Sequence, residues 1–403
     1  MPRKAHTKSR NGCIVCKRRH VKCDESYPIC SNCRDANRHC EYQVSKAVFR
    51  HSSLNNFTRT STPLQQPSPI SPQVITEHDT EDDSYSPVNM HHMNLFHFLT
   101  TETLPSLHTH ELIDISPTDI LKHCLPVPYL MNEFLGFAAL HKSIVGGEAH
   151  MRESYRFQAM NFQTHALSIY NAEPAVLNAE TCIAAFLFSS VLGAHLLCDT
   201  LIYRGDDTLN KFLERFVQYI HIHRGIRTVV GGHWDDLSQS PIGRSFVISR
   251  AVLGDQPATF GPTLTKLLGL IQSAKLGESL TKSYKLAIGN LQSIMNVCEV
   301  STSTSISTPA SVSAYGAVIA WPVMVPIEYV DALGMRRPEA LVILAYYAAL
   351  LHLYQQLWMF GDGGRFLIES ICDSLGVEWG DWLEWPMKIL HDDNNSLELI
   401  SDS

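Results

Sequence analysis

Apolar and aromatic residues recur three and four positions apart over most of the chain after residue 93. The spacing is clear in MNEFLGFAALHKSIV (131–145), YRFQAMNFQTHALSIY (155–170) and FLERFVQYIHIHRGIRTVV (212–230). This period places one face of each helix against a core. The pattern therefore predicts a mainly α protein in which residues 93–403 form a large all-helical domain.

Two longer stretches are apolar on every face. Thr181–Cys198 and Ala340–Phe360 contain no formally charged residue, and the second is long enough to cross a membrane. It nevertheless carries His352, Gln355 and Gln356. We expect both stretches to be core helices of the helical domain, and a membrane-tethered protein anchored by 340–360 is the alternative.

Polar segments separate the helical region from the N-terminus. Residues 61–90 contain five prolines, eight Ser or Thr and the acidic run EHDTEDD, which predicts a disordered linker over 44–92. The run STSTSISTPASVSA at 301–314 predicts a loop. No heptad repeat follows the N-terminal region, so a homodimer would form through the helical domain.

Charge is distributed unevenly along the chain. Residues 1–50 hold twelve of the 32 Lys and Arg but only four of the 40 Asp and Glu, a net charge of +8. The whole chain carries −8, so the remainder carries −16. The first twelve residues, MPRKAHTKSRNG, contain no apolar run typical of a secretory signal. We therefore expect a reducing compartment, in which clustered cysteines bind metal and do not form disulfides.

Six cysteines in residues 1–43 repeat one spacing, C-x2-C-x6-C. They are Cys13, Cys16, Cys23, Cys30, Cys33 and Cys40. A C-x2-C pair presents two sulfurs to one metal, and zinc takes four ligands. Six thiolates suit two zinc ions that share bridging sulfurs, so the spacing predicts a binuclear zinc site. A zinc knot that only folds the segment and a redox role of the thiols are the alternatives.

Basic residues lie between and before these cysteines. Two zinc ions and six thiolates sum to −2, so attraction for phosphates must come from the side chains around the cluster. The candidates are Arg3, Lys4, Lys8, Arg10, Lys17, Arg18, Arg19, Lys22, Arg34 and Arg38. The N-terminal region, 1–43, is therefore predicted to bind nucleic acid.

The span Lys8–Tyr42 resembles the binuclear zinc cluster domain of fungal transcription factors, including KCDE after the third cysteine and Pro28 before the fourth. The resemblance implies that the six cysteines hold two zinc ions and that a short helix after Cys13 enters the major groove of double-stranded DNA. It implies DNA contacts by Lys8, Arg10, Lys17, Arg18, Arg19, His20 and Lys22, often at CGG-like half-sites. It also implies a nuclear regulator of RNA polymerase II transcription that contacts the transcription machinery.

One position departs from that family. The fourth residue after the second cysteine is usually Lys or Arg in the family and is important for reading guanine, but here it is His20. Histidine has fewer donors and is mostly neutral at pH 7. Arg19 is the candidate for the base contact in its place.

Parts of the helical domain are similar to the C-terminal domain of the sterol uptake control proteins, above all WPVMVPIEYVDALGMRRPEALVILAYYAALLHLYQQLWMFGDGGRFLIESI. That resemblance implies a domain that senses a sterol in an apolar pocket, so that depletion of the lipid releases transcriptional activation. We expect a nuclear protein that is cytoplasmic in its ligand-bound state. The candidate lining is Phe186, Phe188, Leu192, Tyr346, Tyr347 and Trp358. A regulator of a secondary-metabolite gene cluster with no sterol ligand is the alternative.

The chain contains no nucleophile elbow, P-loop or dinucleotide fingerprint, so the sequence predicts that it is not an enzyme. GDGGR at 361–365 is compatible with a ligand-gating hinge or with a helix end and turn. The scattered cysteines of the helical domain are expected to be core residues. They are Cys124, Cys182, Cys198, Cys298 and Cys372.

Overall fold

Helices provide the regular structure of this protein, and no strand occurs among the residues that the computed structural model describes. Those residues are 16, 18, 19, 21, 23, 30–34, 36, 88–107, 116–172, 181–205, 207–231, 259–303 and 314–392. The chain divides into two compact units, residues 1–83 and 84–403. The predicted mainly α class is confirmed. The linker predicted at 44–92 lies outside the described residues up to 87.

The helices follow one another with short connections in the described ranges. In the first unit, α1 spans Ser31–Arg34. In the second unit they are α2 (Met90–Phe98), a π-helical turn (Leu99–Thr103), α3 (Leu104–Leu107), α4 (Pro117–Cys124), α5 (Pro128–Val145), α6 (Ala149–Ala172), α7 (Thr181–Ile202) and α8 (Leu209–Gly231). They continue with α9 (Pro262–Ser273), α10 (Glu278–Ser303), α11 (Ala314–Met324), α12 (Ile327–Gly334), α13 (Pro338–Leu353), α14 (Gly363–Leu375), a 3₁₀ turn (Val377–Trp379) and α15 (Gly380–His391).

Helix α13 is the central element of the second unit. Every side chain from Ala340 to Leu353 is buried, and α10, α14 and α15 pack around it. Tyr347 stacks on Trp321 at 4.4 Å between ring centroids, and its hydroxyl donates to the Val318 carbonyl at 3.1 Å. These contacts satisfy the one polar atom that the tyrosine brings into the core.

The apolar stretch 340–360 does not form one continuous helix. Helix α13 has 16 residues, ends at Leu353 and is followed by turns, whereas a spanning helix needs about 20 apolar residues. Among the described residues, Thr181–Ile202 is the one helix long and apolar enough to cross a membrane, and 61% of its most apolar 18-residue window is buried inside the protein. Both stretches form core helices of this unit.

Helices α5 and α6 form a closely packed antiparallel pair. Gly136 makes the approach possible, because a Cβ at this position would lie 3.1 Å from the Phe162 Cβ. Helix α7 then crosses α5, and a buried pair joins the two helices: His195 Nδ1 lies 3.0 Å from Glu133 Oε1. Both side chains are buried away from water. Separating them would leave a polar group buried without its partner, so the pair fixes the alignment of α5 and α7.

The GDGGR segment forms the turn that returns the chain from α13 to α14. Gly361 has φ +49°, a conformation that favours glycine. Gly364 lies in the first turn of α14, where a Cβ would stand 2.5 Å from both the Ala348 carbonyl oxygen and the His352 amide nitrogen. The glycines therefore let α14 pack directly against the backbone of α13.

We predict that Gly364→Ala lowers the free energy of unfolding by about 1–3 kcal/mol, because the added methyl group overlaps backbone that cannot move aside. Gly269→Ala is the matched control, since Gly269 is also helical and a Cβ there meets nothing within 4 Å. The control should gain up to about 1 kcal/mol from helix propensity. Urea denaturation of the full chain measures both values, and equal effects would contradict the packing described.

Candidate metal centre and nucleic-acid interface

Three cysteine sulfurs of the first unit lie together. The Sγ atoms of Cys16, Cys23 and Cys30 are all within 4.8 Å of one another, and those of Cys16 and Cys30 are 3.7 Å apart. A zinc–sulfur bond of about 2.3 Å in a tetrahedron gives sulfur–sulfur separations of about 3.8 Å. The three thiols therefore have the spacing of ligands around one zinc ion.

The two cysteine repeats share this sulfur group. Cys16 and Cys23 belong to the first C-x2-C-x6-C unit, whereas Cys30 opens the second. The backbone amides of Cys33 and Arg34 donate to the Cys30 carbonyl at 3.1 and 3.0 Å, which starts α1 and buries Cys33 beside the others. A metal held here links the two repeats. Cys13 and Cys40 lie outside the described residues.

Three exposed arginines lie close in sequence to the buried cysteines. The Val21 amide donates to the Cys16 carbonyl at 3.1 Å and closes a turn that contains Arg18 and Arg19. Both arginines are exposed although Cys16 is buried, and Arg34 on α1 is exposed as well. The turn therefore presents guanidinium groups to solvent while its cysteine faces the metal position. The other predicted DNA contacts lie outside the described residues; they are Lys8, Arg10, Lys17, His20 and Lys22.

This arrangement suits a structural metal and an anionic partner. Four thiolates close the coordination sphere of zinc and leave no open position for substrate, so the metal would supply folding energy. The exposed guanidinium groups carry donors that match phosphate oxygens or the edge of a guanine.

The six candidate ligand-lining residues occupy different parts of the second unit. Phe188 and Leu192 belong to an apolar cluster with α3, α4 and α5, in which Phe188 contacts Tyr129 and Tyr170. Tyr346 and Tyr347 belong to the larger cluster around α13. Phe186 is half-buried on α7. A ligand in contact with all of these side chains would have to span both clusters.

Trp358 contacts side chains that are far from it in the sequence. Its ring stacks on His141 at 4.1 Å between centroids, and its indole N–H donates to Ser106 Oγ at 3.0 Å. His141 Nδ1 in turn lies 3.0 Å from Thr103 Oγ1. Burial lowers the pKa of His141 to about 4, so the ring is neutral at physiological pH. Trp358 thus joins the α13–α14 connection to α5 and to the first helices of the unit.

The scattered cysteines of the second unit have the environment of core residues. Cys124, Cys182, Cys198 and Cys298 are buried, and Cys372 is half-buried with its sulfur 3.3 Å from Met387 Sδ. Burial raises the pKa of Cys124 to about 12 and that of Cys198 well above its usual value. The raised pKa values keep the thiols of Cys124 and Cys198 protonated, which makes them poor metal ligands.

Comparison with known proteins agrees with the metal centre. Residues 11–47 match the fungal Zn(2)-Cys(6) binuclear cluster domain. A Zn(2)-C6 fungal-type transcription factor of Gibberella zeae is 25% identical over 98% of this chain and 88% of its own length. A second, the transcription factor afumD of Aspergillus fumigatus, is 24% identical over 85% of this chain and 84% of its own length.

A shorter similarity connects the chain to a protein named for sterol uptake. Sterol uptake control protein 2 of Candida albicans is 42% identical over 69 residues, which are 17% of this chain and 9% of that protein. No solved structure matches the chain. The domain match and the grouped cysteine sulfurs confirm zinc as the cofactor, and the relatives matched over most of the chain are transcription factors and not enzymes. The chain therefore carries a fungal Zn(2)-Cys(6) binuclear cluster domain and is a homologue of the fungal Zn(2)-C6 transcription factors.

Proposed function

We propose that this fungal zinc-cluster transcription factor is a sequence-specific, DNA-binding activator of RNA polymerase II transcription, with a helical unit that regulates it. The observation that carries the proposal is the group of Cys16, Cys23 and Cys30 buried beneath the exposed Arg18 and Arg19. Zinc organises the turn, and the turn presents the arginines to DNA. Nuclear localisation follows from this activity.

Arg19 is the proposed base-reading residue and Arg18 a phosphate contact. Arginine binds the O6 and N7 atoms of guanine with two parallel hydrogen bonds, which suits a CGG-like half-site. His20 offers fewer donors at the position where related domains use Lys or Arg. The remaining basic residues of 1–43 attract the phosphates of DNA. This attraction weakens as the salt concentration rises and does not depend on the base sequence.

The helical unit is proposed to set the activity of the DNA-binding unit and to hold two copies together. A sterol or another lipid is the proposed ligand, because WPVMVPIEYVDALGMRRPEALVILAYY and other segments of the helical unit resemble the C-terminal domain of the sterol uptake control proteins. The acidic runs at 77–83 and 391–403 support activation through the transcription machinery. A regulator of a secondary-metabolite gene cluster without a sterol ligand is the second candidate, since the relatives matched over most of the chain carry no sterol in their names.

The membrane-tethered alternative is at odds with the packing of its proposed anchor. The side chains from Ala340 to Leu353 are enclosed by other helices of the same unit. The comparisons give no support to a cytoplasmic ligand-bound state.

We predict two zinc ions per chain in the purified full-length protein, and loss of zinc together with specific DNA binding in Cys23→Ala. The reason is that the remaining sulfurs cannot complete the coordination of the shared site. Cys372→Ala is the control and should keep two ions. Elemental analysis and a gel-shift titration measure the two quantities. One zinc ion per wild-type chain would contradict the binuclear assignment.

Arg19→Ala should weaken binding to a cognate site by about 1–3 kcal/mol and relax the preference at one base pair. Arg34→Ala removes the same charge from another exposed position and should weaken cognate and random DNA alike. Fluorescence anisotropy with a cognate duplex and single-base variants separates these effects. Equal loss on cognate and random DNA for both variants would show that Arg19 reads no base.

Ergosterol should raise the melting temperature of the full-length chain if a sterol is the ligand, whereas an unrelated lipid should not. Mass action gives a stabilisation of about 2.7 kcal/mol at a ligand concentration one hundredfold above Kd. Differential scanning calorimetry with both lipids measures it. No shift with ergosterol would favour the regulator without a sterol ligand.

A further inference from the structure

Two sulfur atoms from different helices meet between α14 and α15. The thiol of Cys372 on α14 donates to the thioether sulfur of Met387 on α15, and the two sulfurs are 3.3 Å apart. Both side chains are half-buried, whereas the four other cysteines of this unit are buried. Cys372 therefore combines a second sulfur as its neighbour with partial access to solvent.

Met387 also lines a groove that is open to solvent. The groove has a volume of about 460 Å³ and is lined by Glu384, Met387, Lys388, His391 and Asp392. The first four of these residues follow one another at three and four positions, so they share one face of α15. His391 is exposed and lies one helical turn after Met387. Its imidazole and the thioether can therefore reach one ion in this groove.

The donor atoms of Cys372, Met387 and His391 select a particular kind of metal. Zinc in proteins is bound by thiolate, imidazole and carboxylate groups, and the thioether is not among its usual ligands. A thiolate together with a thioether is a soft ligand pair that favours monovalent copper, and imidazole suits copper as well. The three side chains therefore match Cu(I) better than they match Zn²⁺.

The charges around Cys372 also favour a cation. Burial raises the pKa of the Cys372 thiol, and the carboxylates of Asp373 and Glu369 raise it further. The sulfur therefore holds a proton, which it donates to Met387. A cation can replace this proton, because the carboxylates that stabilise the proton attract any positive charge at the same place. Binding then forms a copper–sulfur bond, breaks the S–H bond and releases the proton to solvent, with no change in oxidation state.

We propose that Cys372, Met387 and His391 bind one Cu(I) ion that links α14 to α15. Both helices pack on the central helix α13, and they also pack on each other. The ion would strengthen the contact between them and so couple the helical unit to the copper supply. Copper is thus a further ligand of this unit, beside the proposed lipid.

Competition with a chromophoric Cu(I) chelator tests the site in the full-length, zinc-loaded chain without oxygen. Wild type should take up one Cu(I) ion and retain both zinc ions. Cys372→Ser, Met387→Leu and His391→Ala should each lower the Cu(I) affinity about tenfold or more, since each variant removes one ligand. His150→Ala is the matched control for His391, because His150 is also exposed but lies outside the groove, and it should bind like wild type.

Urea denaturation of the copper-free chains separates a lost ligand from a damaged fold. Met387→Leu keeps the volume of the side chain, and His391 is exposed, so both variants should unfold at the wild-type urea concentration. Wild-type Cu(I) affinity in these two variants would overturn the proposal.

X-ray absorption at the copper edge distinguishes this site from the zinc cluster, whose thiols can also bind Cu(I). The proposed site predicts two sulfur ligands and one nitrogen ligand, and His391→Ala should remove the nitrogen contribution. Copper that is surrounded by sulfur alone and releases zinc would show that the ion occupies the cluster, and this result would overturn the proposal.

Discussion

Metal–thiolate bonding is the interaction on which the function of this protein depends. In the described part of the first unit, the buried apolar cluster consists of Cys16, Cys23, Cys30 and Cys33 alone. No Leu, Ile or Phe accompanies them among the described residues of this unit. Zinc bound to thiolates supplies about 10–16 kcal/mol in comparable small domains. The positions of Arg18 and Arg19, the proposed DNA contacts, therefore depend on the metal.

The helical unit is stabilised in the opposite way, by a large apolar interior. Its central helix, α13, is enclosed on all sides, and aromatic residues such as Trp321 and Tyr347 fill the space around it. Such a core leaves its outer helices to meet other molecules.

Local patterns in the sequence predicted the elements, whereas their tertiary partners needed the structure. Apolar periodicity predicted α5, α6 and α8, and cysteine spacing predicted six zinc ligands, of which Cys16, Cys23 and Cys30 lie together in the structure. The spacing alone did not show that Cys30 joins the sulfurs of the first repeat, since that contact spans 14 residues. The composition did not predict that α13 ends at Leu353, because apolar residues continue to Phe360. The chain turns after Leu353, and this turn brings Gly364 of α14 against the backbone of Ala348 in α13. The separation of Phe188 from Tyr347 likewise depends on how helices pack.

X-ray absorption at the zinc edge of the full-length protein tests the central claim most directly. A binuclear cluster that shares thiolates between two repeats predicts four sulfur neighbours per zinc at about 2.3 Å, with no nitrogen or oxygen ligand. It also predicts a second shell from a neighbouring zinc ion, because bridging sulfurs hold the two metals close together. A zinc shell that includes nitrogen or oxygen, or the absence of a zinc–zinc contribution, would contradict the account.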